Sequence, residues 1–536
     1  MFWRYNNIAL ITIAAAVSLV AWLYGGARGD LLMSYGPWIL VFVLEVIFCF
    51  PQHRKNEGVH EARIRVWKEL RHGALFLSVC GFLLLISIPF LNNGLCPNCD
   101  AELIANGIKA DPPIPFIPFC VNRLDHLNTV LWFAIALFSA AAVFHCLTRS
   151  GKRKFVELIM WNGVALAILG FVQLATDAPG PFWSGEKVAS SNREFFSSFG
   201  YVNMAADFFT LMFGLAMALW RDHYEQIRKE EEERQLADRS GKDAKRYGKF
   251  WRRHYFLIPS AILFFAAINT LSRSAIVMAA LLAVIFFIHT LMCFTSRMHR
   301  QQRVKTKLLS TAIFAIVVFF SAIMMPKNIR KEVDTLESCT MLDRFTGRGQ
   351  YHVRVATEIL KDYPLFGCGG WGYAHFCQQY MTEKELPGLQ WKGGANVHND
   401  YMQFLAEHGL VGVGFLALIV IILIAPVASG WRRLAKGVRF LTGRYLPPKP
   451  RRVFVLPAPV FFMLISLIAT FIHAFFDCPL RSCAVLTTFF TVLASFNGFM
   501  PKAVDAQITA PAGSDAHERQ HHHHHHHFHH HKTEKK

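Results

Sequence analysis

Of 536 residues, 53% are hydrophobic and only 17% charged, and the mean hydropathy is +0.29. A soluble chain carries about a quarter charged residues, so composition excludes an ordinary water-soluble domain. A formal net charge of +19 suggests nucleic acid, but the positions of the cations exclude that reading.

Apolar stretches at 8–24, 37–50, 73–90, 128–147, 155–174, 204–220, 255–271, 275–294, 308–325, 410–428, 455–476 and 484–500 are expected to be membrane helices. The short alternating strands of a membrane barrel are not apparent. The expected fold is therefore all-α, a polytopic membrane protein of about 12 helices. One large, partly helical outer loop separates the ninth helix from the tenth. No small-residue cleavage site follows the first stretch, so it reads as a retained helix. Most of the 56 Lys and Arg fall in the connectors 51–72, 148–154, 221–254, 295–307 and 429–454 and at the two termini. Short loops rich in Lys and Arg favour the cytoplasm, which puts both termini inside and the alternate loops outside. The surplus charge serves topology and the anionic inner leaflet.

Early helices carry few signals. Glu45 lies within the second, near its cytoplasmic end, where it can reach water or an arginine. The outer loop 91–127 holds Cys96-Pro-Asn-Cys99 and Cys120, but no further ligands at zinc-finger spacing. Of 12 cysteines, most fall on the expected outer side, where disulfides form. Cys478 and Cys483, flanking a tight turn, are the preferred pair. Asn203 and Asp207 are spaced to share one helix face at the outer boundary. The segment 221–254, with Glu230 to Glu233, reads as a solvated helix or linker.

Arg273, in Asn269-Thr-Leu-Ser-Arg-Ser274, stands at the outer turn between two apolar runs, where an arginine snorkels or faces a polar cavity. In the large loop, Tyr351, Val355 and Ile359 recur every four positions and mark an amphipathic helix, preceded by Arg344 and Arg348. Glycines crowd 367–372, where bare backbone can approach a partner closely, and no GK[ST] follows to make a P-loop. His398, Asn399 and Asp400 stand just before the apolar run that begins at Leu410. That boundary suits chemistry on a substrate half in lipid and half in water. Farther on, His473 and Asp477 are four apart, so a buried His–Asp pair is expected, with Arg481 in the turn beyond. The His-rich tract at 521–531 is low-complexity and carries no role in the core activity.

Together these pieces resemble the O-antigen ligase/polymerase family of bacterial membrane glycosyltransferases. The resemblance rests on Asn269 to Ser274, on Arg348 through PLFGCGGWG, on His398-Asn399 with Gly409 leading into GLVG, and on His473 to Arg481. Gln173 and the Gly200 to Asn203 segment fit more loosely. Tyr351 departs from the tryptophan common there, and the Cys-rich outer loops are unusual. The resemblance implies a core at 255–428, including the outer loop 326–409, after six helices and a linker at 1–254. Helices 11 and 12 occupy 429–500, and a disordered tail 501–536. It further implies an undecaprenyl-diphosphate glycan donor, a glycan or lipid-linked acceptor, and transfer with inversion that needs no cofactor and no metal. The location is the bacterial inner membrane, the site facing outward, in cell-envelope polysaccharide or lipopolysaccharide synthesis.

The residues fit that chemistry. A diphosphate leaving group needs cations, and arginine offers a planar fork to its oxygens. Arg273, with Arg348 or Arg344, is on the correct side. His398 is the expected base for the acceptor hydroxyl, and a phosphate contact by the same imidazole is the alternative. Asn399, Asp400, His473 and Asp477 are further candidate substrate contacts. A protein O-oligosaccharyltransferase of the same fold and a transporter of small solutes or anions are the other readings. Transporters show two related halves, which this chain lacks. Cysteines introduced as Gly388→Cys and Gly241→Cys should react with a membrane-impermeant reagent from opposite sides. Labelling of both from one side would break the topology.

Overall fold

The computed structural model describes residues 2–54, 56–92, 114, 116–185, 195–237, 252–295, 301–302, 304–312, 330, 348–382, 396–442 and 456–500. Its principal helices are Phe2–Trp22 (α1), Gly29–Phe48 (α2), Val59–His72 (α3), Ala74–Ser87 (α4), Arg123–Ala141 (α5), Arg149–Ala175 (α6) and Val202–Ala237 (α7). Leu257–Asn269 (α8), Arg273–Thr295 (α9), Arg348–Asp362 (α10), Gly372–Phe376 (α11), Asp400–Thr442 (α12), Ala458–His473 (α13) and Cys483–Ser495 (α14) follow. Among the described residues, seven helices are long and apolar enough to cross a membrane, and three apolar helices are shorter. The protein is a multi-pass membrane protein, predominantly helical and without a sheet among the described residues. Most of the expected span 308–325, Arg344, Cys96, Cys99, Cys339 and the His-rich tract lie outside the described residues.

Two boundaries differ from expectation. α2 begins at Gly29 and carries Pro37 inside it, so the proline did not start the helix. The tenth expected span is longer, because α12 starts at Asp400 and turns at Gly409 before entering its apolar part.

Helices surrounded by lipid gain little from apolar burial against one another, so van der Waals fit and interhelical hydrogen bonds hold them together. α7 is the centre: 83% of its apolar window is buried, against 22% for α12. It packs on α6, α8, α9 and α13. Rings join three of these midway, with Phe213 of α7 5.6 Å from Phe286 of α9, and Phe286 4.5 Å from Phe462 of α13. That common depth sets Arg273, Val202 and His473 at one end of the bundle.

Polar ties collect at the two ends. At one, Arg65 pairs with Glu57 at 2.8 Å, Gln52 accepts from the Thr148 N–H at 2.9 Å, and Lys152 donates to Asn497 at 2.8 Å. The Lys- and Arg-rich connectors 51–72 and 148–154 thus meet. At the other, Ser482 Oγ donates to the Gly25 carbonyl at 2.7 Å, and the Gly370 N–H donates to His126 Nδ1 at 2.8 Å.

The expected amphipathic helix is α10, with Val355, Ala356 and Ile359 fully buried against the start of α12. Beyond it the chain from Pro364 to Gly369 runs along the break in α12. Cys368 and Gly369 donate to the carbonyls of Ala406 and Glu407, both at 2.9 Å. Leu410 and Val411 donate back to Pro364 and Leu365 at 2.9 and 3.0 Å. The contact needs bare backbone on both sides: Gly409 has φ +62° and Gly367 φ +70°, and a Cβ on either would collide with the opposite strand of chain. Gly409→Ala should therefore cost about 1–3 kcal/mol of backbone strain before any clash. A clear fall in the thermal unfolding midpoint of the solubilised protein is expected, and an unchanged midpoint would contradict the account of the break.

Candidate active site at one end of the bundle

Asp477 is the hub. It sits in the turn between α13 and α14 with its side chain 7% exposed, and a buried carboxylate needs donors. Two stretches distant in sequence and its own turn supply them. From the start of α7, Asn203 Nδ2 donates to Oδ2 and also to Tyr201 Oη at 2.8 Å, while Tyr201 Oη lies 3.3 Å from Asp477 Oδ1. From its own turn, the Cys478 N–H donates to Oδ1 at 2.8 Å. From the start of α12, His398 Nδ1 stands 3.3 Å from Oδ1. Burial pushes the Asp477 carboxyl up, but the His398 hydrogen bond and the nearby His473 charge outweigh it and hold it at about 2. An ionised carboxylate only accepts, so His398 Nδ1 is the donor, and in its neutral form the imidazole carries its lone pair at Nε2.

The His398 side chain is 47% exposed and its backbone is left-handed, φ +53°. Its neighbours fix it. Asn399 Oδ1 accepts from the Met402 N–H at 3.0 Å and so caps α12. Asp400 is fully buried; its N–H donates to the Ala474 carbonyl at 2.9 Å, and its Oδ2 accepts from the Leu480 N–H at 2.8 Å. Asn399 Oδ1 and Asp400 Oδ2, on two of the residues expected to contact substrate, are thus engaged within the protein and tie His398 to the turn that bears Asp477.

One correction concerns His473 and Asp477. They do not pair with each other, although their spacing suits it. His473 Nδ1 lies 2.7 Å from Asp207 Oδ2 on α7, both side chains about 95% buried or more. The turn beyond His473 leads Asp477 away from its own helix toward His398. Asn203 and Asp207, spaced to share one face, do so, and serve the two carboxylate–imidazole contacts in successive layers.

Beneath lies an ion pair that sequence reasoning missed. Arg481 Nη1 donates to Glu407 Oε2 at 2.6 Å, with side chains 1% and 0% exposed. The guanidinium carbon lies 4.1 Å from the Trp371 ring centroid, and Gln403 Nε2 donates to Glu407 Oε1 at 3.0 Å. Nothing in the pattern around Glu407 marked it, and Arg481 was visible only as a cation in a turn. His352 of α10 was also missed; its ring centroid lies 6.1 Å from that of His398, and its Nδ1 is 2.8 Å from Tyr373 Oη.

Arg273 is half-buried and opens α9, which packs on α7 and α13, the helices carrying Asn203, Asp207 and His473. Ser272 and Ser274 flank it with their hydroxyls 3.0 Å apart. Arg348 begins α10. The expected Cys478–Cys483 disulfide is not formed: both are free, buried thiols. The intervening helical turn points them apart, Cys478 Sγ 3.5 Å from Asp477 Oδ1 and Cys483 Sγ 3.7 Å from Thr487 Oγ1. His398, Asp477 and Cys478 bring three ligand-type atoms within 4.8 Å of one another.

A family model described as O-antigen ligase matches residues 258–417, a stretch that holds Arg273, Arg348, the glycine-rich loop and His398. The match supports the resemblance to the O-antigen ligase family, and with it a membrane glycan-transferring ligase or polymerase in general. No curated protein matches the chain.

Removing one partner of a buried ion pair strands the other charge, at a cost of roughly 3–5 kcal/mol. Glu407→Ala should therefore lower the unfolding midpoint sharply. The double replacement Glu407→Leu with Arg481→Met should recover much of the loss. Failure of the single replacement to destabilise would contradict the pair.

Proposed function

We propose that this protein transfers a glycan from a polyprenyl-diphosphate carrier to an acceptor hydroxyl on the outer face of the bacterial inner membrane, without a metal. The observation that carries this reading is the His398–Asp477 pair: a half-exposed imidazole whose Nδ1 is pinned by a buried carboxylate, so that Nε2 is the nitrogen left for a substrate. Nε2 takes the proton of the acceptor hydroxyl. The hydroxyl oxygen attacks the anomeric carbon, and the bond from that carbon to the diphosphate oxygen breaks on the opposite side. The electron pair leaves with the diphosphate, and configuration inverts. Asp477 keeps the imidazole in the productive tautomer and stabilises its protonated form. Arg273, Arg348 and Arg344 serve the diphosphate, each charge-assisted hydrogen bond contributing about 1.5–3 kcal/mol. The Asp207–His473 pair holds α7 against α13, so that Asn203 and Tyr201 reach Asp477.

The acceptor is a lipid-linked glycan, a growing polymer or, in the oligosaccharyltransferase reading, a protein hydroxyl. Proteoliposomes loaded with lipid-linked glycan and offered each acceptor separately identify it. Solute flux in such vesicles without any glycan transfer would overturn the enzyme in favour of a transporter. Two replacements divide the labour. Arg273→Lys keeps the charge but loses the fork, so donor affinity and transfer rate should fall together. His398→Ala should leave donor affinity largely intact and lower turnover by roughly 10²–10⁴-fold. An equal loss of donor affinity in both would make His398 a phosphate ligand and end its assignment as base.

A further inference from the structure

Cys478 is a buried thiol that the transfer reaction does not use. It is 1% exposed, adjoins Asp477 in sequence, and points its Sγ at the same carboxylate oxygen that His398 approaches from the solvent side. Imidazole, carboxylate and thiol are the ligand types that soft divalent cations select. Their spacing is informative. Zinc bonds of about 2.0–2.2 Å to nitrogen and oxygen and about 2.3 Å to sulfur place tetrahedral ligand pairs roughly 3.3–3.6 Å apart. His398 Nδ1 is 3.3 Å from Asp477 Oδ1, and Cys478 Sγ is 3.5 Å from it. All three atoms lie within 4.8 Å of one another.

We propose that His398, Asp477 and Cys478 form a binding site for a thiophilic divalent cation, zinc above all, and that the bound ion switches the transfer reaction off.

Charge supports the site. A carboxylate, a thiolate and a neutral imidazole neutralise a divalent cation, so the ion enters a buried position without leaving net charge there. At present two shared protons hold the trio together, Nδ1–H and Sγ–H each directed at Asp477 Oδ1. On binding, the thiol proton leaves to solvent and the imidazole proton moves from Nδ1 to Nε2. Asp477 Oδ2 keeps its bond from Asn203. The consequence for catalysis is direct, because an imidazole metallated at Nδ1 carries its proton at Nε2 and cannot accept another. That consequence rests on His398 being the base; the binding itself rests on the geometry alone.

Cobalt(II) titrated into the solubilised full chain should produce a near-ultraviolet thiolate-to-cobalt charge-transfer band. The His-rich tract at 521–531 binds cobalt through imidazole only and gives no such band. Cys478→Ser keeps a hydroxyl in place of the thiol, and Cys478→Ala removes it; both should lose the band. Zinc should displace cobalt. Zinc affinity, read against a chromophoric chelator, should fall in both variants by at least the 10–100-fold that loss of even an outer-shell partner costs, roughly. A band and an affinity equal to the parent in Cys478→Ser would overturn the site, whether or not Cys478→Ala folds. In transfer assays zinc should inhibit the parent and spare Cys478→Ser. Zinc that binds at Cys478 without slowing transfer would overturn the switch, and with it the assignment of His398 as base, while leaving the metal site standing.

Discussion

A single buried carboxylate, Asp477, sets the requirements that the rest of the site meets. Charge in a low-dielectric interior is tolerated only when hydrogen bonds surround it. The turn between α13 and α14 supplies one donor from its own backbone. The others must come from elsewhere, and they do: Tyr201 and Asn203 from the head of α7, and His398 from the head of α12. Three helix ends that are far apart in the chain are thereby fixed within hydrogen-bonding distance. The imidazole is the only one of these side chains left about half open.

Below that layer the protein spends further polar groups on rigidity. Asp207 with His473 locks α7 to α13, and Glu407 with Arg481 locks the first turns of α12 to the same connecting turn. Such pairs contribute little net stability over an apolar pair of similar shape. What they fix is register: each has one geometry, and a shift of either helix would strand a charge. The break at Gly409 has the same effect by backbone means. It lets residues 400–408 tilt independently of the apolar part of α12, while the loop from Pro364 to Gly369 clamps both sides of the break. An imidazole held this way is oriented before any substrate arrives, which is what a general base requires for efficient proton transfer.

Much of the architecture was legible in the sequence because a membrane imposes one rule. Apolar stretches of spanning length must be helices, and Lys- and Arg-rich connectors sort to one side. The connectors at 51–72 and 148–154 do meet, at the end away from His398. His398 was legible too, as a histidine between a glycine-rich turn and an apolar run. The partners were not. Spacing of four joins His473 to Asp477 on any straight helix, yet the chain leaves the helix at His473, and α7 takes each residue separately. Asn399 and Asp400 have the residue types of ligands, and helix capping and turn anchoring, which use those same types, were not legible beside that. Glu407 was hidden because one acid before an apolar run has no periodicity to betray it. Its meaning comes from Arg481, on another helix connection, under Trp371.

The central claim is that Asp477 makes His398 a base, and it is tested most directly by single-turnover transfer with Asp477→Asn at saturating lipid-linked donor. The amide preserves shape and hydrogen bonding but loses the charge that fixes the imidazole tautomer. The account predicts that donor affinity stays within about threefold while the transfer rate falls by roughly 10²–10⁴-fold. A transfer rate close to the parent's, with the loss appearing in donor affinity, would contradict it.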